Sequence, residues 1–329
     1  MAGIGLPYFK KGIQPYNPVF FAMVTLKNFL RLALLGLMLH SSTSCLRAQL
    51  TDFRHATLET PVSPRVKSLA LQTTTGCKTE FEKVYAIHEW ITHHISYSYA
   101  VSGSHYTGTD QVILGRKAVC QGYADLFAAL CIASKVEARV VHGYGKTKTS
   151  DIGEATDSTN HAWNIVKIEG REYLVDACWD AGYYGNGKFT SDPRTSFFLS
   201  NPAVFALSHF PEHPEDQLLE RPLTAKQFFG IPHVNSNIFA FSLRLMKYLP
   251  GSLKPGSTVK ADLLVETACS FWVAFGDKDL QPLEALPNGS GQLVSLQFEV
   301  PNDFKGTARL YVSRPEEGLR HSVMEFVVN

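Results

Sequence analysis

The sequence predicts an α+β domain followed by a C-terminal antiparallel β-sandwich, and three features carry that prediction. Segments 78–94 and 120–135 place apolar residues at helical spacing. A β-branched run and the hairpin pattern at 161–180 supply a sheet for those helices to cover. From about residue 235 the texture changes to short strands separated by Pro, Gly, Asn and Asp.

Along the chain, residues 51–77 read as a polar lead-in without a regular element. "KTEFEKVYAIHEWITHH" follows as a helix, with Phe81, Val84, Tyr85, Ile87, His88 and either Trp90 or Ile91 recurring at helical spacing. "ISYSYA" alternates and is expected to be extended, and "VSGSHYTGTD" is a loop. "QVILGRKAV" leads into a helix that begins at Cys120, carries Tyr123, Ala124, Phe127, Ala128, Leu130 and Cys131, and stops near Lys135. "EARVVHGYG" is β-branched and reads as a strand. The polar connection 146–160 is longer than most internal loops, so it is expected to be functional or mobile. "HAWNIVKIEGREYLVDACWD" is the clearest hairpin, two apolar-rich runs flanking Glu169-Gly170. "FAFSLRLM", "STVKADLLVET", "SFWVAFGD", "QLVSLQFEV", "GTARLYVSR" and "SVMEFVVN" are the strands of the sandwich.

A length of 329 residues is enough for one large core or two ordinary ones. Apolar residues at 45% describe a folded chain rather than a disordered one. With 31 basic residues against 30 acidic ones, neither nucleic acid nor an anionic membrane is expected as the main partner.

Residues 27–48 have the order of a secretory signal: Lys27 and Arg31, an apolar run from Leu32 to Leu39, then small polar residues. That run is too short for a permanent membrane span. Met23 starts the pattern cleanly, so 1–48 is read as leader and signal peptide, with translation starting at Met23 and cleavage after Ala48. Soluble export, to the outside or a periplasm, is preferred to a lipid anchor at Cys45, because Ser42 stands where a lipoprotein signal has a branched apolar residue. Loss of Cys45 leaves Cys77, Cys120, Cys131, Cys178 and Cys269, an odd set in which at least one thiol stays single or pairs between molecules. Paired CxxC spacings are missing, so no zinc or other metal site is expected.

Cys120 stands where a basic loop ends and an apolar helix begins, a setting that favours thiolate through the unpaired N–H groups of the helix start. The hairpin offers a base. With Glu169 and Gly170 as a two-residue turn, His161 faces Cys178, and Trp163 faces Asp176. All four then share one face, and Asp176 lies diagonal to His161 at roughly 7 Å between backbones, which the side chains close. A carboxylate there fixes the imidazole tautomer and stabilises its cation. Gly122 is read as room for a substrate backbone beside Cys120 and Gln121, and the helix-start N–H groups as donors to an oxyanion.

These motifs, "AVCQGYADLFAALC", "VVHGYGK", "NHAWNIVKIEGREYLVDACWDAG" and "SFFLSNPAVFALSHFPEHPEDQLL", together resemble the transglutaminase-like superfamily, in its kyphoscoliosis-peptidase-like branch. The resemblance covers roughly residues 78–220. It implies a papain-like α+β core with chain order Cys, His, Asp, which Cys120, His161 and Asp176 match position by position. With the signal pattern and the change of texture, the chain is read as a leader at 1–48, a catalytic domain at 49–228 and a β-sandwich at 229–329. Animal members use calcium, but no EF-hand-like loop is present and no cofactor is expected. No motif assigns a second oxyanion donor.

The function expected is therefore that of an exported cysteine enzyme acting on protein or peptide amide bonds through a thioester. Water resolving the thioester makes a peptidase or amidase, and this is preferred; a lysine amine makes a cross-linker. A catalytically silent scaffold whose sandwich binds a surface protein is the alternative from another class. A cell-wall peptide is a narrower substrate option. Loop 146–160 is read as a lid, with residues 99–110 as the opposite rim. Cys131 is expected in the core. Cys178 is preferred as core over a redox neighbour of Cys120 or a disulfide partner of Cys131 or Cys77. Trp163 and Trp179 are read as walling the cleft and filling the core, with an indole N–H available as a donor near the cleft, and His209 is read as a turn histidine before Pro211.

Overall fold

The computed structural model describes residues 53–329 apart from Asp157, 288–292 and 316–317. The leader, Met23, Cys45 and the expected cleavage after Ala48 lie outside the described residues. The first element corrects the polar lead-in. Ser63 caps α1 (Pro64–Thr74), its Oγ accepting from the Val66 N–H at 3.1 Å, and Pro64 sits where a helix needs no N–H. Val66, Leu69 and Ala70 bury one face. The Ser-Pro pair was the readable start signal; the polar residues around it belong to the outer face.

α2 (Glu80–His94) opens with a capping box between Thr79 and Glu82 and buries Val84, Ile87, His88 and Ile91. Phe81, expected on the apolar face, is exposed, while His93 and His94 face outward. β1 (Ser96–Tyr97) is the only strand in "ISYSYA". α3 (Thr109–Gly115) then leads to β2 (Lys117–Ala118), which pairs parallel with β1. α4 (Cys120–Ala133) is surrounded, with every residue from Gly122 to Ile132 buried. A helix apolar on nearly all sides is one around which a domain is built.

The sheet that covers α4 contains β3 (Glu137–Gly145), β4 (His161–Ile168) and β5 (Arg171–Val175). After the short α5 (Ala177–Asp180) and the ribbon of β6 (Gly182–Gly185) and β7 (Lys188–Ser191), the chain adds β8 (Phe198–Ser200) and β9 (His209–Pro211). The order is β8-β5-β4-β3-β9, antiparallel throughout. Glu169 and Gly170 turn with φ of 49° and 80°, the left-handed pair of a tight hairpin, and Ile168 pairs Arg171 as the two-residue turn requires.

That ladder stops at Asn164–Val175, so the expected pairs His161–Cys178 and Trp163–Asp176 do not form. Asp176 leaves the strand to cap α5 instead, its Oδ1 accepting from the N–H groups of Cys178 and Trp179. Ala162, Val166 and Ile168 pack toward α4, whereas Trp163 and Ile165 join Val141, Leu174, Phe197 and Phe205 in a separate cluster.

The helix Ala225–Gly230 runs through the expected boundary at 228. Beyond it, a four-stranded sheet holds Thr258–Leu264 and Leu293–Glu299, and a six-stranded sheet holds Ser270–Phe275, Gly306–Ser313 and His321–Val328. Val259, Leu263 and Phe298 of the first share one core with Phe271, Leu310 and Phe326 of the second. Two details differ from expectation. "FAFSLRLM" holds the end of a helical turn, Asn237–Ala240, and the two-residue strand Arg244–Leu245, while Ser252–Leu253 pairs parallel with the last strand.

Loop 146–160, expected as a lid, is anchored at its start. Lys146 is fully buried and its Nζ donates to the carbonyls of Phe228 at 2.6 Å and Ile231 at 3.0 Å. Thr149 Oγ1 donates to Glu325 Oε2 at 2.8 Å. The first third of the loop is thus tied to the end of the helix Ala225–Gly230 and to the last strand. Among the described residues, no helix is long and apolar enough to cross a membrane.

Candidate active site

Cys120 is the first residue of α4, and Val119 before it provides no side-chain cap. The N–H groups of that first turn therefore have no partner within the helix. The thiol lies beside the His161 imidazole and the Ala162 backbone N–H. Burial pushes the thiol up, but the neighbouring His161 and its charge, with the Ala162 N–H, outweigh burial and leave it below the ordinary thiol range.

His161 begins β4 and is buried. Its Nε2 donates to Asp176 Oδ2 at 2.7 Å, which leaves Nδ1 as the ring nitrogen for the thiol. Burial draws the imidazolium down, yet the Asp176 charge and hydrogen bond, with Cys120, raise it to about 10. Burial pushes Asp176 up, and His161 and then His209 hold it well below the usual carboxylate range. Two glycines on β3 make room for the rings. A Cβ on Gly145 would lie 3.2 Å from His161 and 3.0 Å from Trp179, and one on Gly143 would lie 2.5 Å from Trp163.

Cys120, His161 and Asp176 thus meet, although they arrive from a helix start, a strand start and a helix cap. The other expected residues separate. Gln121 is tied between His142 Nε2 at 2.6 Å and Asp125 Oδ1 at 2.8 Å, beside the site. Gly122 faces inward, where a Cβ would lie 2.9 Å from Ala118 and 3.1 Å from Val112. Its lack of a side chain serves packing against α3, not substrate space. Trp163 is buried and its Nε1 has no hydrogen-bond partner among the described residues, so it does not donate into the cleft. Cys178 packs with the α4 core rather than on the Trp163 side, and burial pushes its thiol far up. Cys131 is fully buried, and no disulfide forms among the described residues.

The residue that sequence reasoning set aside is His209. It is buried on β9 opposite Gly145, and its Nε2 donates to Asp176 Oδ2 at 3.1 Å, while Ser208 Oγ meets its Nδ1 at 2.9 Å. Its distance along the chain from Asp176 hid this; the strand pairing of "SHFP" with "HGYG" was the missing signal. His161, Asp176 and His209 offer three ligand atoms within 4.8 Å. Each ring nitrogen already directs its proton at the shared oxygen, so hydrogen bonds account for the group. At the mouth, Tyr97, Tyr99 and Tyr184 stack edge to face, with centroids 5.1 to 6.1 Å apart, and Tyr99 and Tyr184 are exposed. Segment 99–110, expected as the opposite rim, is held to α4 by Tyr106, whose OH donates to Asp125 Oδ2 at 2.6 Å.

Residues 67–177 match the family model of the transglutaminase-like superfamily, so the chain carries a transglutaminase-like domain. Kyphoscoliosis peptidase of Homo sapiens is 37% identical over 157 residues, 46% of this chain and 24% of that protein. Hillarin of Drosophila melanogaster is 28% identical over 185 residues, 51% of this chain and 22% of that protein. The chain thus spans about a quarter of the length of these curated relatives. Among solved structures, the periplasmic domain of TgpA from Pseudomonas aeruginosa bound to ethylmercury is 22% identical, covering 37% of this chain and 47% of that one at a TM-score of 0.31.

Proposed function

We propose that this transglutaminase-like domain is a cysteine enzyme that hydrolyses amide bonds in an exported setting, with Cys120 as nucleophile, His161 as base and acid, and Asp176 as the group that orients and charges His161. The observation that carries the reading is that the Cys120 thiol lies beside His161, whose Nε2 in turn donates to Asp176 Oδ2 at 2.7 Å. The Cys120 thiolate attacks the carbonyl carbon, and the carbonyl electrons move onto oxygen beside the uncapped N–H groups of α4. As the C–N bond breaks, the His161 imidazolium gives its proton to the leaving amine, and a thioester remains. Water then gives a proton to His161 and its oxygen to the acyl carbon. The acid departs, and the thiolate–imidazolium pair is restored. What supports hydrolysis over transfer to a lysine is the name of two of the relatives matched over this stretch, the kyphoscoliosis peptidases of Homo sapiens and Mus musculus. What supports export is the charged, apolar and small-residue order of residues 27–48.

The test is incubation with casein, with and without a fluorescent primary amine. New peptides that vanish in Cys120→Ala support hydrolysis. Incorporation of the amine without fragments overturns hydrolysis in favour of transfer. Neither product, with Cys120 no more reactive than a model thiol, overturns catalysis altogether. The mass of the mature N-terminus checks export: it begins at Gln49 if the signal is cut after Ala48, and at a lipidated Cys45 if the chain is anchored.

A further inference from the structure

Asp176 is shared. Its Oδ1 takes the N–H groups of Cys178 at 2.9 Å and Trp179 at 3.1 Å, and its Oδ2 takes His161 Nε2 at 2.7 Å and His209 Nε2 at 3.1 Å. Four donors converge on one buried carboxylate, and the triad accounts for only one of them. His209 is placed with care for a residue without a role. Its ring stacks on Phe205 at 3.9 Å between centroids and meets Trp179 at 4.4 Å, Trp163 at 5.1 Å and Phe197 at 5.4 Å. With the carboxylate ionised, Nε2 must carry the proton, so Nδ1 accepts from the Ser208 hydroxyl. The Asp176 carboxylate thereby sets the tautomer, and the Ser208 hydroxyl, which also reaches the Phe205 carbonyl at 3.4 Å, accommodates it.

We propose that His209 is a positioning residue of this site: its Nε2–H, held on Asp176 Oδ2, keeps the buried carboxylate ionised and turned toward His161, which extends the Cys120 thiolate–imidazolium pair to more acid pH. The inference rests on the triad reading above.

The argument is one of charge. With Asp176 ionised and Cys120 paired with His161, the site carries one net negative charge, and every donor aimed at it lowers the pH at which a further proton is taken up. The titratable groups facing His209 are Asp176, before α5, and His161 of β4. Behind them stand Cys120 and Tyr123 of α4, and Cys178 and Asp180 of α5. The rest of its surroundings are the rings already named, the Ser208 hydroxyl and the Phe205 backbone, none of which titrates. Burial draws His209 down to about 4 against the pull of Asp176, so it donates as a neutral ring and adds no competing charge at neutral pH.

The test measures the rate of Cys120 alkylation by iodoacetamide in the full chain from pH 4 to 9. His209→Phe keeps a ring and removes the donor; His209→Gln places an amide N–H near the position of Nε2. Wild type is expected to react well below the pH range of a free thiol. In His209→Phe the acid limb moves up by about one pH unit, the size expected for one hydrogen bond to a carboxylate, and His209→Gln restores it. Ser208→Ala, which removes the hydroxyl that meets Nδ1, moves the limb the same way by less, and decides the matter if His209→Phe does not fold. Limbs that coincide with wild type in the folded variants, or a Gln variant that follows Phe, overturn the inference. A wild type no more reactive than a model thiol overturns the triad reading itself, which separates the two failures.

Discussion

His88 Nε2 meets Asp180 Oδ2 at 2.9 Å, with both side chains fully buried, joining the middle of α2 to the end of α5. The same carboxylate accepts the Phe197 N–H at 3.0 Å on both oxygens, and the Phe197 carbonyl accepts the Asp176 N–H at 3.0 Å. A buried pair outside the triad thus holds the strand end from which Asp176 reaches His161. Removing one partner leaves the other buried without its bond, which costs about 3–5 kcal/mol. Asp180→Ala is expected to lose that much in urea unfolding and to slow Cys120 alkylation in the folded protein. A loss below about 1 kcal/mol, the scale of a single ordinary hydrogen bond, contradicts this account.

Gly143 tests the room made for the rings. An added Cβ would lie 2.2 Å from the Phe210 carbonyl oxygen, 2.7 Å from Pro211 Cα and 2.5 Å from Trp163. Two of these neighbours are backbone and cannot swing away. Gly143→Ala is therefore expected to cost about 3 kcal/mol, the upper end of overpacking losses, and to push β9 with His209 away from β3. Thermal unfolding measures the cost; an unchanged melting temperature rejects it.

Gly122 separates packing from substrate space. Its added Cβ would press on Ala118 and Val112, an overpacking loss of about 1–3 kcal/mol against a helix-propensity gain of about 1 kcal/mol. Gly122→Ala is expected to lower the melting temperature and leave KM for a cleaved peptide unchanged. A raised KM at unchanged stability returns Gly122 to the substrate groove.

Lys146 makes stability depend on pH. Burial draws its ammonium down to about 7, against the charge of Asp151. In the unfolded chain a lysine titrates near 10.4, so between about pH 7 and pH 10 the unfolded state holds the extra proton. Stability rises with pH where the unfolded state binds more protons, by up to about 1.4 kcal/mol per pH unit for one group. The stability of wild type relative to Lys146→Met is therefore expected to grow from pH 7 to pH 9 in urea titrations. A difference that stays flat across that range rejects a depressed Lys146.

Much of the architecture could be read locally. The α4 pattern around Tyr123, Phe127 and Leu130, the strand "EARVVHGYG", the Glu169-Gly170 turn and the alternating strands of the sandwich all follow from neighbours a few residues apart. α1 was missed because its polar face outweighed the Ser63-Pro64 start signal, and Phe81 was misplaced because spacing names a helix face without saying how far the core extends over it. At the site, periodicity could pair His161 with the strand opposite, but not foresee that Asp176 would leave the ladder to cap a helix.

The sequence by itself determined which residues could be nucleophile, base and carboxylate, and the two-residue turn that sets the β4–β5 register. Those depend on side-chain chemistry and on a backbone period, both properties of short stretches. Only the tertiary structure decided that His209 joins Asp176, that His88 finds Asp180, that Gly122 turns inward and that Lys146 is sealed against Phe228. Each of these is a contact between segments remote in the chain. Its partner is chosen by how the elements pack, and no local pattern encodes that choice.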